Sequence, residues 1–68
     1  MLENIEQVKK IIINSLEKQA NIVGKFLICE INNELKEFKI DKSLLNQIYT
    51  SNEFNIQEEN MQTTISLK

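Results

Sequence analysis

The chain has no proline, no histidine, no arginine and no tryptophan, and only one glycine (Gly24) and one cysteine (Cys29) in 68 residues. Each absence removes a class of answer. Without proline, and with a lone glycine, there is no linker or low-complexity segment, so residues 1–68 read as a single domain. One cysteine cannot form an internal disulfide, and without histidine no clustered Cys/His set exists to hold zinc. Cys29 also lacks an imidazole base and an adjoining cationic pair to lower its pKa, so it reads as a small apolar filler. No apolar run approaches the ~18 residues of a membrane span. The opening Met1-Leu2-Glu3-Asn4 has no basic stretch leading into an apolar one. No membrane and a reducing cytoplasm are the expectation.

Missing arginine bears on recognition as well, because arginine is the favoured bidentate reader of guanine and phosphate. The net charge of −2 is unevenly spread. Residues 1–23, 24–40 and 41–52 are each balanced, and the deficit lies in 53–68, where Glu53, Glu58 and Glu59 face only Lys68. The carboxylate pairs Glu30/Glu34 and Glu34/Glu37 also meet Lys36 and Lys39 at helical spacings, which describes a solvated face better than acid–base machinery. Neither enzymatic activity nor a cofactor is expected. A core this small typically supplies ~3–5 kcal/mol of net stability, so association with a partner or with itself would help.

Apolar spacing supplies the positive signal. Ile5, Val8, Ile12, Leu16 and Ala20 recur at three- and four-residue steps, predicting a helix from about Asn4 to Ala20. Asn4 and Gln7 form an Asn-x-x-Gln capping box at its start. The stretch Lys25 to Phe38 forks. As a helix it aligns Leu27, Ile31, Leu35 and Phe38; as a hairpin it pairs Lys25–Ile31 with Leu35–Ile40 around an Asn32-Asn33 turn. The three-residue step from Leu35 to Phe38 favours the helix. Asp41 then caps a third helix with Leu44, Leu45, Ile48 and Tyr49 on its apolar face, and Ile40 can staple onto Leu45. Phe54 and Ile56 alternate, Glu58-Glu59-Asn60 is a polar turn, and Met61 to Leu67 alternates, predicting a terminal hairpin.

The resulting order, helix-helix-helix-strand-strand, is mainly α with a small β-hairpin, the order of a winged helix-turn-helix. The alternative is α-β-β-α-β with a hairpin at 25–40. The expected core is Ile5, Val8, Ile12, Leu16, Leu27, Ile31, Leu35, Leu45, Ile48, Phe54 and Ile65. In a helix-turn-helix the second helix lies in the major groove. Lys25, Lys39 and Lys42 would then contact phosphate, and Ser43, Asn46, Gln47 and Thr50 would face base edges. Glu58 and Glu59 at the tip of the terminal hairpin, the wing of such a domain, argue the other way, since phosphate would repel them. Ile11, Phe26 and Cys29 miss the helical stripes and are candidates for a partner or dimer interface.

From Ile5 to Lys68 the outline resembles the winged helix-turn-helix superfamily. The LOTUS branch is similar in its first helix, in Asn21-Ile22-Val23 leading to Leu27-Ile28, in Leu44-Leu45, and in the Phe54-Asn55-Ile56 and Ile65-Ser66-Leu67 strands. Lys42-Ser43 stands where that branch usually has a glycine entering the third helix. The resemblance implies binding of RNA or of helicase partners. The leading expectation is a small DNA- or RNA-binding regulator. The competing one is a protein-binding module, such as a phage or plasmid inhibitor or adaptor that docks on a larger machine. A homodimer would suit either.

Overall fold

In the computed structural model, which describes residues 1–68, the first helix starts where its capping residues place it. Helix α1 spans Ile5–Ile13; Gln7 N donates to Asn4 Oδ1 at 3.0 Å, and Gln7 Oε1 accepts from Asn4 N at 3.4 Å. Val8 and Ile12 form its buried face. It stops well short of Ala20. Asn14 turns its side-chain amide onto the Lys10 carbonyl (2.9 Å), and Glu17 and Lys18 take positive φ of 59° and 54° in a short 3-10 turn, Leu16–Lys18. That reversal sends the chain back as strand β1, Gln19–Val23.

Strands β2 (Phe26–Ile31) and β3 (Glu34–Lys39) form an antiparallel hairpin in register Phe26↔Lys39 through Ile31↔Glu34. Helix α2 spans Lys42–Thr50, with Asp41 Oδ1 accepting from Leu44 N at 2.8 Å. Strands β4 (Phe54–Glu59) and β5 (Gln62–Leu67) close the chain as a second antiparallel hairpin. The five strands form one antiparallel sheet in the order β3-β2-β1-β5-β4. β1 is its centre, joining the N-terminal meander to the C-terminal hairpin through pairs Gln19↔Ser66 to Ile22↔Thr63.

This overturns the three-helix expectation. Strand accounts for 43% of the chain and helix for 31%, so the protein is mainly β. No winged helix-turn-helix order is present, because the expected second helix is the β2–β3 hairpin. The α-β-β-α-β alternative also falls short, since β1 precedes that hairpin and two paired strands follow α2. Local chemistry explains the hairpin. Asn32 and Asn33 adopt φ of 54° and 66°, the left-handed pair that a two-residue hairpin turn requires and that Asn tolerates. Leu27, Ile31, Leu35 and Phe38 share a helical period by coincidence. In the sheet, Leu27 and Phe38 are directly paired while Leu35 opposes Glu30 on the other face.

Both helices cover one face of the sheet. The core between the layers is Val8, Ile12, Ala20, Ile22, Leu27, Cys29, Ile40, Leu44, Ile48, Phe54 and Ile65, with Ile5, Ile11, Ile31 and Leu45 packed against it. Leu16 and Leu35, expected in the core, are 59% and 70% exposed. The edge strands are charged, with Glu34, Lys36, Glu37 and Lys39 on β3 and Glu58 and Glu59 on β4. Charge on an edge discourages further strand addition.

Candidate interaction surface

The sheet face opposite the helices is bare, and its side chains follow from the register. One row crosses all five strands: Glu37, Ile28, Asn21, Thr64 and Gln57, each opposite the next. Thr64 Oγ1 donates to Asn21 Oδ1 at 2.9 Å within it. Toward β4 this face is polar. Gln19, Asn21, Gln57, Glu59, Asn60, Gln62 and Thr64 line a shallow depression there of about 210 Å³ with no apolar residue.

Toward β3 the character changes. Val23 lies opposite Phe26, and Ile28 follows Phe26 two residues on, hence on the same face. Leu35 sits opposite Glu30 and therefore diagonal to Ile28, within reach of a long side chain. Together they make a diagonal apolar stripe over β1, β2 and β3. Val23 is 53% exposed and Phe26 41% exposed, and Ile28 is partly covered. Lys39 flanks the stripe beside Phe26, while Glu37 and Glu30 flank it beside Ile28 and Leu35. None of these three charges is ion-paired within the chain, whose salt bridges are Lys9–Glu6, Lys9–Glu53 and Lys36–Glu34.

The residues singled out from the sequence fall in three places. Lys25, Lys39 and Lys42 are gathered: with Met1, Gly24, Ile40, Asp41 and Leu45 they line a depression of about 370 Å³ where α2 begins. Leu2 N donates to the Lys39 carbonyl at 3.0 Å, so the segment leading into α1 lies at this end too. The Asp41 carboxylate is already engaged as the α2 cap. Ser43, Asn46, Gln47 and Thr50 are exposed on α2, but no partner helix precedes them to form a helix-turn-helix. Thr50 Oγ1 donates to the Asn46 carbonyl at 2.9 Å.

Ile11, Phe26 and Cys29 are not brought together. Ile11 packs against the core on α1, Cys29 is 5% exposed beneath the helices, and Phe26 alone reaches the bare face. Strand alternation separates Phe26 from Cys29 onto opposite faces. Val23, Ile28 and Leu35 are additions that the sequence reading does not contain. The signal for them is the Val23-Gly24-Lys25-Phe26 turn, which aligns two apolar residues across a pair of strands.

Titration adds little chemistry. Burial pushes the Cys29 thiol above its usual range. Hydrogen bonds to Glu53 and Glu6 raise the Lys9 ammonium above its own. No three acidic or sulfur side chains converge as metal ligands. Comparison with models of known protein families yields no match, and neither curated proteins nor solved structures give a significant one. No helix is long and apolar enough to cross a membrane.

Proposed function

We propose that this chain is a small protein-binding module that docks through the β1–β3 side of its bare sheet face. The observation that carries the reading is the diagonal stripe of Val23, Phe26, Ile28 and Leu35 with charges of both signs around it. An apolar centre inside a polar rim is the anatomy of a protein interface. A contiguous apolar patch of this kind on so small a protein is what interaction surfaces present. Glu30 and Glu37 border the stripe, and carboxylates there would repel a phosphate backbone. An inhibitor or adaptor acting on a larger assembly in the cytoplasm suits the size, the acidic charge and the single buried thiol.

Affinity capture with three baits tests this. Wild type and Asn46→Ala retain the same partner, and Leu35→Ser loses it while keeping the wild-type circular dichroism spectrum. A partner retained by Leu35→Ser and lost by Asn46→Ala would overturn the reading.

A second reading rests on the gathering of Lys25, Lys39 and Lys42 at the end where α2 begins. Three ammonium groups there attract anions, although the Asp41 carboxylate already caps the helix N-terminus. Nucleic acid held there would show a log–log salt slope of about −0.9 per duplex phosphate contact. Titrating mixed DNA and RNA oligonucleotides at low salt separates the two readings, and the protein-binding reading predicts no saturable binding.

A further inference from the structure

We propose that in solution the bare face is covered by a second copy of this chain, related by a twofold axis that crosses the apolar stripe at right angles at Ile28. This rests on reading that face as a docking surface and names its occupant in the isolated protein.

The stripe is self-complementary. A twofold interface sets each patch against itself, so it is favoured where the two ends of one surface complement each other. Here they do. The stripe runs from Val23 on β1 through Phe26 and Ile28 on β2 to Leu35 on β3. A twofold axis lying between two facing sheets, across the stripe at its middle, places Ile28 on Ile28 of the other copy and Val23 over Leu35.

The same operation sets Phe26 against Glu37 of the other copy and brings charges of opposite sign together beside it. Lys39 and Glu37 sit two residues apart on β3, on the same side of the stripe, and neither is ion-paired within its own chain. Reversal about the axis carries Lys39 of one copy beside Glu37 of the other, and Glu37 beside Lys39. Two reciprocal ion pairs result at the rim. Glu30 comes to rest near the polar Asn21 of the facing sheet. With strands spaced about 4.8 Å apart and same-face residues about 6.8 Å apart, the strands of the two copies cross at a steep angle, as in orthogonal sheet packing. Charged β3 and β4 edges disfavour edge-to-edge pairing as the rival mode.

Sedimentation equilibrium on four samples tests the proposal: wild type, Lys39→Glu, Glu37→Lys, and an equimolar mixture of the two variants. Both positions are exposed, so the variants keep the fold, which circular dichroism checks. Wild type self-associates as a dimer at tens to hundreds of micromolar. Each variant alone juxtaposes like charges twice, and its dimerisation weakens about tenfold or more. The mixture restores the dimer. In it the carboxylate introduced by Lys39→Glu meets the ammonium introduced by Glu37→Lys, and the two unaltered side chains, Lys39 and Glu37, meet across the interface. A monomeric wild type at hundreds of micromolar overturns the self-pairing, and so does a wild-type dimer that neither variant weakens. A mixture no more associated than its components overturns the twofold arrangement. The docking reading falls separately, if Leu35→Ser retains the captured partner.

Discussion

Thr64 on β5 donates its hydroxyl to the Asn21 side-chain oxygen on β1 at 2.9 Å, bridging residues 43 apart in sequence. The bond lies at the seam where the N-terminal meander meets the C-terminal hairpin. That seam is the contact that makes two small sheets into one five-stranded sheet. Replacing Thr64 by Val keeps the β-branched shape and removes the hydroxyl. Urea unfolding is expected to show a loss of about 0.5–1.5 kcal/mol, the net worth of one such bond. No change in midpoint would mean that water replaces the hydroxyl at no cost.

Two turn positions carry opposite predictions. Met61 holds φ of 64° as the second residue of the β4–β5 turn and is fully exposed. A left-handed backbone costs an ordinary L-residue about 1–2 kcal/mol, which glycine avoids. Met61→Gly is therefore expected to raise the melting temperature. Gly24 holds φ of +59° in the β1–β2 turn, with open space where a Cβ would go. Gly24→Ala is expected to lower it, backbone strain alone costing roughly 1 kcal/mol of stability. Thermal melts followed by circular dichroism read both.

Alkaline pH should destabilise the fold. Both shifted groups bind their protons more tightly when folded: Cys29 because burial disfavours the thiolate, Lys9 because Glu53 and Glu6 accept hydrogen bonds from its ammonium. The folded state then holds more protons than the unfolded one once pH exceeds the unfolded values, 9.0 for the thiol and 10.5 for the ammonium. Stability contributed by these groups is fully present below those values and falls as pH rises through the folded pKa values. Chemical denaturation from pH 7 to 11 should show that decline, with Lys9→Gln flattening the part above 10.5. A flat profile would contradict the burial of Cys29.

Leucine positions separate the sheet from the helical alternative. Leu27 is fully buried while Leu35 is 70% exposed, although both lie on one face of the helix that their spacing suggests. Leu27→Ala is expected to cost about 2–5 kcal/mol, enough to unfold so small a domain. Leu35→Ser should stay within about 0.5 kcal/mol, as exposed substitutions do. Equal, large losses at both would revive a helix over 25–38.

Much of the local structure was legible in the sequence, and the topology was not. Asn4 with Gln7 and Asp41 with Leu44 start helices as their chemistry dictates. The alternation of Thr63, Ile65 and Leu67 marks β5, but Met61 lies in the turn with Asn60, and Glu58 and Glu59, expected in that turn, belong to β4. Three segments failed for identifiable reasons. Leu16 and Ala20 continue the α1 spacing, but Glu17 and Lys18 reverse the chain through left-handed φ, a conformation their residue types do not advertise. Lys25 to Phe38 is ambiguous because β3 is an edge strand whose polar residues dilute any alternation. Ile22 and Val23 are too short a run to declare β1 the centre of a sheet, which depends on Thr63–Ser66 more than forty residues on. The bare face was hidden for the same reason: Val23, Phe26, Ile28 and Leu35 become neighbours only through strand register. The gathering of Lys25, Lys39 and Lys42 does emerge at one end, although the helix-turn-helix expected to gather them does not.

Site-specific photo-crosslinking decides whether the β1–β3 face is where this chain meets protein. A photoreactive phenylalanine analogue at Leu35 on the bare face is compared with one at Asn46 on α2, in cells expressing each chain. Protein adducts are expected from position 35, a second copy of the chain among them, and few from position 46. Adducts formed chiefly from position 46, or only to nucleic acid, would contradict this.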